Sequence, residues 1–244
     1  MLTRLSFLFI ILIVAGFIAT LVLFKGNWRK IQERELDKKI AMWFPFALLF
    51  LTIFYFGYFA KIIFLSSLLV ASLQEFYKRE VFSRKKIIVV AYAIFFIISI
   101  LHIPLYNHFI KNGSVIIMII FISTVLADVF AFFLGVFSKY KLPQIINNNK
   151  SYMGVLGQII GSAFGVFILE KYITGAVVTH PIALTISIAV GAICGDLWNS
   201  VSKRSLSIKD WSKAIPGHGG IVDRFCSVCF AVLFSFYVLL IFSQ

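Results

Sequence analysis

Acidic residues are scarce in this sequence, and four of them lie where they could take part in chemistry. The chain holds 10 Asp and Glu residues against 23 Lys and Arg. We expect six of the acids to be solvated or interfacial, because they lie in basic segments or at the ends of apolar runs: Glu33, Glu35, Asp37, Glu75, Glu80 and Glu170. The remaining four are Asp128, Asp196, Asp210 and Asp223.

Two of these four have informative neighbours. Asp128 stands inside an apolar run, where a carboxylate costs roughly 2.5–3.5 kcal/mol on membrane-insertion scales. It is therefore either a functional carboxylate or a buried one that is bonded to a neighbouring helix. Asp196 is followed at helical spacing by Ser200 and Lys203, so these three side chains share one helical face.

The longest polar stretch, residues 202–220, separates Asp196 from Asp223. It carries or adjoins the charged and flexible residues Lys203, Arg204, Lys209, Asp210, Lys213, His218, Gly219, Gly220 and Arg224. Two carboxylates at neighbouring helix ends can share a hard divalent cation. Glycine N–H groups and the positive end of a helix can face phosphate oxygens. The stretch therefore predicts a polyphosphate site, the alternative being a charged loop that only anchors the chain.

The elements that position these residues must be membrane helices. Hydrophobic residues make up 61% of the 244 positions and charged residues only 14%, whereas soluble domains are about 25% charged. This composition excludes a soluble enzyme, a disordered protein and a secreted disulfide scaffold. The net charge of +13 is typical of a protein that meets anionic lipid and phosphate ligands, and nucleic acid is not needed to explain it.

The predicted fold is an all-α, polytopic membrane protein with about eight transmembrane helices, since each span needs roughly 20 apolar residues. The spans are predicted at residues 5–24, 41–59, 62–75, 87–105, 114–137, 152–170, 181–201 and 225–243. A break at Gly57 to Lys61 separates the second span from the third, and seven spans with a re-entrant segment is the alternative. Residues 1–111 are expected to form scaffold, lipid access or a dimer contact. Residues 112–244 are expected to form the catalytic region, with a cytoplasmic hairpin at 202–224.

Charge sets the predicted orientation. Of the 23 Lys and Arg residues, 18 lie in the segments 25–39, 78–86, 139–150 and 203–213, against four on the opposite side. The positive-inside rule puts these four segments in the cytoplasm. We therefore expect an uncleaved signal-anchor, both termini outside, and a multi-pass protein of the cytoplasmic membrane with its site facing the cytoplasm.

The polar stretch resembles the signature of phosphatidate cytidylyltransferases, also called CDP-diacylglycerol synthases. The residues that carry the resemblance are Ser200-x-x-Lys203-Arg204-x4-Lys209-Asp210-x-Ser212-x-x-Ile215-Pro216-x-His218-Gly219-Gly220-Ile221-x-Asp223-Arg224-Phe225, preceded by Gly195-Asp196-Leu197. Weaker resemblances are Asp128-x-x-Ala131-Phe132-x-x-Gly135 and Lys150-Ser151-x-x-Gly154.

The sequence departs from the family pattern at several positions. Ser202 stands for an apolar residue, Asn147 and Asn148 for Ser-Pro, Met153 for Glu, and Cys226 for the final Asp. A thiol is a poor ligand for a hard cation, so a carboxylate role at Cys226 is lost. Cys226-x-x-Cys229 as a redox or zinc pair is an alternative that lacks further soft ligands.

The resemblance implies cytidylyl transfer from CTP to phosphatidate, which gives CDP-diacylglycerol and pyrophosphate. Asp196 and Asp223 would hold Mg2+, with a monovalent co-ion left open, and Asp210 would orient Lys209. Cations and a hydrogen-bond donor for the phosphates would be Lys203, Arg204, Lys209, Arg224, Lys150 and His218. Further substrate-binding residues would be Asp128, Ser151, Ser200, Gly219 and Gly220. The expected partners are CTP, phosphatidate, membrane lipids and a second copy of the chain, without nucleic acid.

Three other functions remain open on the sequence. The first is a CTP-dependent transferase that acts on another lipid phosphate. The second is a non-catalytic homologue, which Met153 and Cys226 motivate. The third is an ion-coupled transporter with Asp128 as a proton relay, which leaves the polar hairpin unexplained.

Overall fold

The computed structural model of the protein describes residues 57–83, 86–136, 138–143, 150–171, 178–215 and 219–242, together with Ile18. Within these ranges the chain forms six helices: α1 (Gly57–Lys78), α2 (Ile87–Phe109), α3 (Gly113–Val136), α4 (Tyr152–Leu169), α5 (Pro181–Ser205) and α6 (Ile221–Phe242). All six are long and apolar enough to cross a membrane. Strand pairing in the same ranges is limited to isolated bridges. The protein is therefore an all-helical, multi-pass membrane protein, as the composition predicts.

The described helices match six of the predicted spans. Helices α2 to α6 overlap the last five spans, and α1 contains the third span, predicted at 62–75. Helix α1 begins at Gly57 and continues through Lys61, so the segment predicted as a break is helical. The spans predicted at 5–24 and, for the most part, 41–59 lie outside the described residues. The total of eight stays a prediction.

Two helix ends near the polar stretch extend beyond the predicted spans. Helix α5 continues to Ser205, so that Lys203 and Arg204 lie in its last turn, where positive charge favours the negative end of the helix dipole. Helix α6 begins at Ile221, so that Asp223 lies in its first turn. A prediction from apolar content misses these polar turns, because it ends each span where the charged residues begin.

Glycines set the distance between α3 and α4. A Cβ added at Gly157, Gly161 or Gly165 would lie 2.6 Å from an atom of the α3 main chain. Lipid tails are as apolar as leucine, so membrane helices associate through close packing of small residues rather than through exclusion of water. The small-residue face of α4 therefore fixes α3, which carries Asp128, against α4.

A second glycine contact fixes α5 against α6. A Cβ added at Gly195 would lie 2.5 Å from the Cys226 carbonyl oxygen, and one at Gly191 would lie 2.6 Å from the Cα of Ala231. Because Gly195 directly precedes Asp196, one of these close contacts between the two helices lies beside the predicted site.

Aromatic side chains pack beneath the polar hairpin. Trp211 of the hairpin is 1% exposed, stacks on Tyr92 of α2 with centroids 6.0 Å apart, and meets Phe76 of α1 edge-on at 5.2 Å. This cluster also includes Phe96 and Phe230. Helices α1 and α2 thus share a hydrophobic core with α6, although the sequence assigned them to a separate region.

Long-range hydrogen bonds define the two ends of the bundle. Lys61 of α1 donates to Ser114 of α3 at one end. Lys86 donates to the Ser205 carbonyl at the other end, where the polar hairpin lies. The helices alternate in direction, and the described cations of the predicted cytoplasmic segments share the end that carries the hairpin.

Candidate active site

A cavity of about 510 Å³ opens between α3, α4, α5 and α6. Its polar lining includes the acids Asp128, Asp196 and Asp223, the cations Lys141, Lys150 and Arg224, and Ser151 and Gln158. Its apolar lining includes Ala131, Phe132, Val136, Val155 and Leu197. The cavity thus brings together charged residues from both the upstream motifs and the hairpin.

Lys150 joins the start of α4 to Asp196 of α5. Its Nζ donates to the Asp196 carbonyl oxygen at 2.9 Å and forms an ion pair with the Asp196 carboxylate. The next residue, Ser151, caps α4 by accepting a hydrogen bond from the Gly154 N–H at 3.1 Å, which fixes the approach of Lys150. The Asp196 side chain stays 33% exposed, so a ligand in the cavity can reach it.

Asp223 is held differently. Its Oδ1 accepts from Lys203 Nζ at 2.5 Å, and its Oδ2 accepts from the backbone N–H groups of Trp211 and Gly220, both at 2.9 Å. Its side chain is only 1% exposed. Asp223 therefore ties the hairpin to the first turn of α6, and both of its carboxylate oxygens have partners.

Asp128 faces the cavity from α3. It is exposed, and its Oδ1 accepts from the Gln158 amide of α4 at 3.3 Å. The sequence left open a functional carboxylate or a buried one bonded to a neighbouring helix. The bond to α4 is present, but the side chain is exposed rather than buried, and its lining of the cavity leaves a functional role as a prediction.

The two glycines of the hairpin have structural partners for their N–H groups. Gly219 adopts a left-handed φ of +82° and exchanges backbone hydrogen bonds with Ile215, and Gly220 N–H donates to Asp223. The N–H groups of Ile221 and Val222, the first of α6, donate to Glu75. The geometry therefore does not support the expectation that these amides and this helix end receive a phosphate. The Ile215 carbonyl already accepts from Gly219, and carboxylates of the chain accept from Gly220 and from the start of α6.

Several other predicted site residues lie beside the cavity rather than in its wall. Lys203 bonds to Asp223, and the Ser200 hydroxyl donates to the Asp196 carbonyl. Arg204 and Lys209 are exposed on the hairpin side. No ion pair joins Lys209 to Asp210 in the described part of the chain, so the expectation that Asp210 orients Lys209 finds no support there. His218 lies outside the described residues, as do Asn147 and Asn148.

Glu75 was predicted to be solvated or interfacial, and that prediction is wrong. It is 5% exposed, and its carboxylate accepts from the Ser212 hydroxyl at 2.6 Å and from the N–H groups of Ile221 and Val222 at 2.8 and 3.0 Å. One turn away, Arg79 donates to the carbonyls of Trp211 and Asp210. Glu75 lies in the last turn of a predicted span, where an acid is usually solvated. The sequence does not reveal its hydrogen bonds, because its partners lie more than 130 positions away.

Cys226 forms part of the cavity wall. It is 3% exposed, its thiol accepts weakly from the Asn199 amide at 3.5 Å, and it donates to the Asp223 carbonyl. Cys229 is also buried, and both thiols are free. Nothing in these contacts gives the two cysteines a soft-metal partner.

The donor set fits a hard cation that is completed by a substrate. Among the described residues, no group of three or more His, Cys, Asp or Glu side chains is placed to hold a metal ion. Mg2+ in phosphate sites is commonly held by one or two carboxylates plus phosphate oxygens and water. Asp196 offers an exposed carboxylate for this purpose, whereas Asp223 would have to release Lys203 first.

Several known proteins are similar in sequence to this chain. The chain is 34% identical over 150 residues to a phosphatidate cytidylyltransferase of Haemophilus influenzae. The aligned residues make up 58% of this chain and 52% of that protein. The chain is 35% identical over 133 residues to a phosphatidate cytidylyltransferase of Helicobacter pylori, covering 54% and 49%. A third such protein, from Thermotoga maritima, is 28% identical over 158 residues, covering 62% and 57%.

The chain thus spans about half the length of the curated relatives it matches. The profile of the Cytidylyltransferase family covers much more of the chain, from residue 1 to residue 242. This match includes the helices that form the cavity and the hairpin that carries the signature, and the chain therefore belongs to the Cytidylyltransferase family.

Proposed function

We propose that the protein transfers the cytidylyl group of CTP to phosphatidate, releasing pyrophosphate and forming CDP-diacylglycerol for phospholipid biosynthesis. The observation that carries the proposal is the cavity between α3, α4, α5 and α6, in which exposed Arg224 and the Asp196–Lys150 pair lie at the polar end of a membrane bundle. Membership of the family and the names of the relatives support the same reaction.

The chemistry needs little from the protein beyond charge and position. The nucleophile is a phosphate monoester, whose second pKa is about 6, so it is ionised at neutral pH without a general base. The barrier comes mainly from repulsion between two anionic phosphates, which fixed cations lower. Arg224 is exposed at the cavity and forms no ion pair with the described residues, so it is free to bind an incoming phosphate.

We propose Asp196 as the main protein ligand for Mg2+, with Asp223 as a second ligand only if Lys203 moves away. When bound, the metal would neutralise charge on the CTP phosphates. Lys150 holds the Asp196 carboxylate in the cavity. Lys203 forms an ion pair with buried Asp223 as long as Asp223 does not bind the metal. A monovalent co-ion is left to experiment.

The apolar wall suits a lipid substrate. Phe132 and Val136 of α3 line the cavity and are 41% and 46% exposed. They lie one helical turn apart on the same helix as Asp128, so an acyl chain can lie along α3 while its phosphate reaches the charged residues.

The setting of the reaction follows from the same features. We propose the cytoplasmic membrane with the site facing the cytoplasm, supported by the excess of Lys and Arg at the hairpin end. A homodimer, which rests on the family resemblance alone, would be tested by the mass of the purified protein in detergent. Nucleic acid is not proposed as a partner, because membrane orientation and phosphate binding use the positive charge.

The test is direct. Purified protein is incubated with labelled CTP, Mg2+ and phosphatidate, and labelled lipid and released pyrophosphate are measured. We expect both products, and we expect Arg224→Gln to lower their rate by roughly a hundredfold. Lys213→Gln is the matched control, since Lys213 is exposed on the hairpin outside the cavity.

The same assay separates the two alternatives that involve CTP or a family homologue. Labelled lipid formed from another lipid phosphate but not from phosphatidate would replace the substrate and keep the reaction class. CTP binding without release of pyrophosphate would indicate a non-catalytic homologue and would overturn the proposal.

A further inference from the structure

We propose that Glu75 is a positioning residue for the transfer reaction: it anchors the signature hairpin and the start of α6, and so fixes Asp223 and Arg224 at the cavity. This inference rests on the proposed function for its effect on turnover. The anchoring itself rests on contacts alone. Glu75 belongs to α1, outside the residues that resemble the family signature.

Both oxygens of the Glu75 carboxylate accept hydrogen bonds, from Ser212 of the hairpin and from the first residues of α6. Oε1 accepts from the Ser212 hydroxyl and from the Ile221 N–H, and Oε2 accepts from the Val222 N–H. The first N–H groups of a helix have no partner within the helix, and a carboxylate beside them is stabilised by the helix dipole. Glu75 thus performs, from a distant helix, the task that a capping residue usually performs locally.

The residues that Glu75 holds lead directly into the site. Val222 is followed by Asp223 and Arg224, which both line the cavity. Gly220, just before the helix, leaves room for the carboxylate, since a Cβ there would lie 2.5 Å from Glu75 Oε2. Displacing Glu75 would therefore move the backbone that carries the proposed phosphate-binding guanidinium of Arg224.

Glu75 and Asp223 together hold the two ends of the hairpin, each through different hydrogen-bond donors. Asp223 accepts from the N–H groups of Trp211 and Gly220, and Glu75 accepts from the next two N–H groups and from Ser212. Arg79 lies four residues after Glu75, directly after the end of α1, and donates two hydrogen bonds to hairpin carbonyls. The C-terminal end of α1 is thus the outer support of the site.

The experiment compares Glu75→Gln, the milder Ser212→Ala and the control Gln74→Ala in the full-length protein in detergent. Gln74 is the exposed neighbour of Glu75 on α1. We measure kcat and KM for CTP and phosphatidate, and the rate of trypsin cleavage at the exposed hairpin residues Lys209 and Lys213. A melting midpoint for each variant separates local opening from global unfolding.

We expect Glu75→Gln to lower kcat by roughly tenfold or more. The glutamine side chain has one acceptor oxygen and one NH2 group, so the NH2 group would face a donor that the carboxylate now accepts from. KM for CTP should change much less, since a displaced α6 lowers the fraction of bound substrate that is correctly oriented. Trypsin should cleave the hairpin faster at temperatures well below the melting midpoint of the variant, where the protein as a whole stays folded. Ser212→Ala should give a smaller change in the same direction, and Gln74→Ala none.

A Glu75→Gln protein with the kcat of the wild type overturns the positioning role, and an unchanged cleavage rate overturns the anchoring. If Glu75→Gln unfolds, Ser212→Ala decides both points. If the wild type makes no labelled lipid, the proposed function fails, and the cleavage rates alone judge whether Glu75 anchors the hairpin.

Discussion

Asp196 and Asp223 lie on neighbouring helices, yet their carboxylates have different surroundings. Asp196 is one-third exposed and is paired with Lys150, whereas Asp223 is buried and accepts from three donors. The same metal-binding role was predicted from sequence for both residues, because spacing cannot show which carboxylate oxygens already have partners in the fold. We therefore expect the two residues to respond differently to the same substitution.

Asp196→Asn should lower CTP-dependent turnover by roughly a hundredfold or more while leaving the melting midpoint close to that of the wild type. The amide removes the charge that faces the cavity but keeps the size of the side chain. Turnover and thermal melting of the purified protein check this prediction. Glu80→Gln is the control, because Glu80 is exposed at the same end of the bundle.

Asp223→Asn should lower both turnover and stability. It leaves the partly buried Lys203 without its counter-ion and weakens the acceptor for two hairpin N–H groups. Breaking a buried pair by removing one partner costs about 3–5 kcal/mol, so the melting midpoint should fall clearly below that of Asp196→Asn. If both asparagine variants retain full turnover, the assignment of the two aspartates is wrong.

Cys226→Asp should lower the Mg2+ concentration needed for half-maximal turnover. It restores the acid of the family pattern in the cavity wall, where the Asn199 amide already points at the thiol and can donate to a carboxylate. A carboxylate is a hard ligand and a thiol is not. Mg2+ titrations of turnover check the prediction, with Cys226→Asn as the uncharged control, and an equal response of the two variants would contradict it.

At the scale of the helices, apolar length predicted α2 to α6 within a few residues. It placed their polar ends less well, because the last turn of α5 and the first turn of α6 are stabilised by pairs such as Lys203–Asp223. The same limit hid Glu75, whose partners lie in the hairpin and on α6. Hydropathy reports what a segment exposes to lipid, whereas these ends depend on contacts between segments distant in the sequence.

Gly195→Ala should destabilise the α5–α6 pair. The new Cβ would lie 2.5 Å from the Cys226 carbonyl oxygen, a backbone atom that cannot rotate away. Overpacking of this kind costs about 1–3 kcal/mol, and it would also separate Asp196 from α6. Gly135→Ala is the control, because its Cβ would come no closer to another atom than 3.3 Å, from the Ser151 hydroxyl. An equal fall in melting midpoint would contradict the prediction.

At the scale of the whole molecule, charge and fold agree on one polar end. Lys86 between α1 and α2, Lys150 before α4 and the described residues of the hairpin all lie at that end. The catalytic role assigned by sequence to residues 112–244 is incomplete in one respect, since Glu75 and Arg79 of the preceding region contact the hairpin. Composition could not show this, because both regions consist mostly of apolar residues.

The orientation of the bundle can be tested with single cysteines at its two ends. Lys111 and Lys139 are both exposed, Lys111 between α2 and α3 and Lys139 after α3. In spheroplasts, and in a Cys194→Ser background, a membrane-impermeant maleimide should label Lys111→Cys directly and Lys139→Cys only after permeabilisation. Buried Cys226 and Cys229 serve as the low background. The opposite pattern would put the cavity outside the cell, away from the cytoplasmic CTP that the proposed reaction consumes, and would therefore contradict both the orientation and the function.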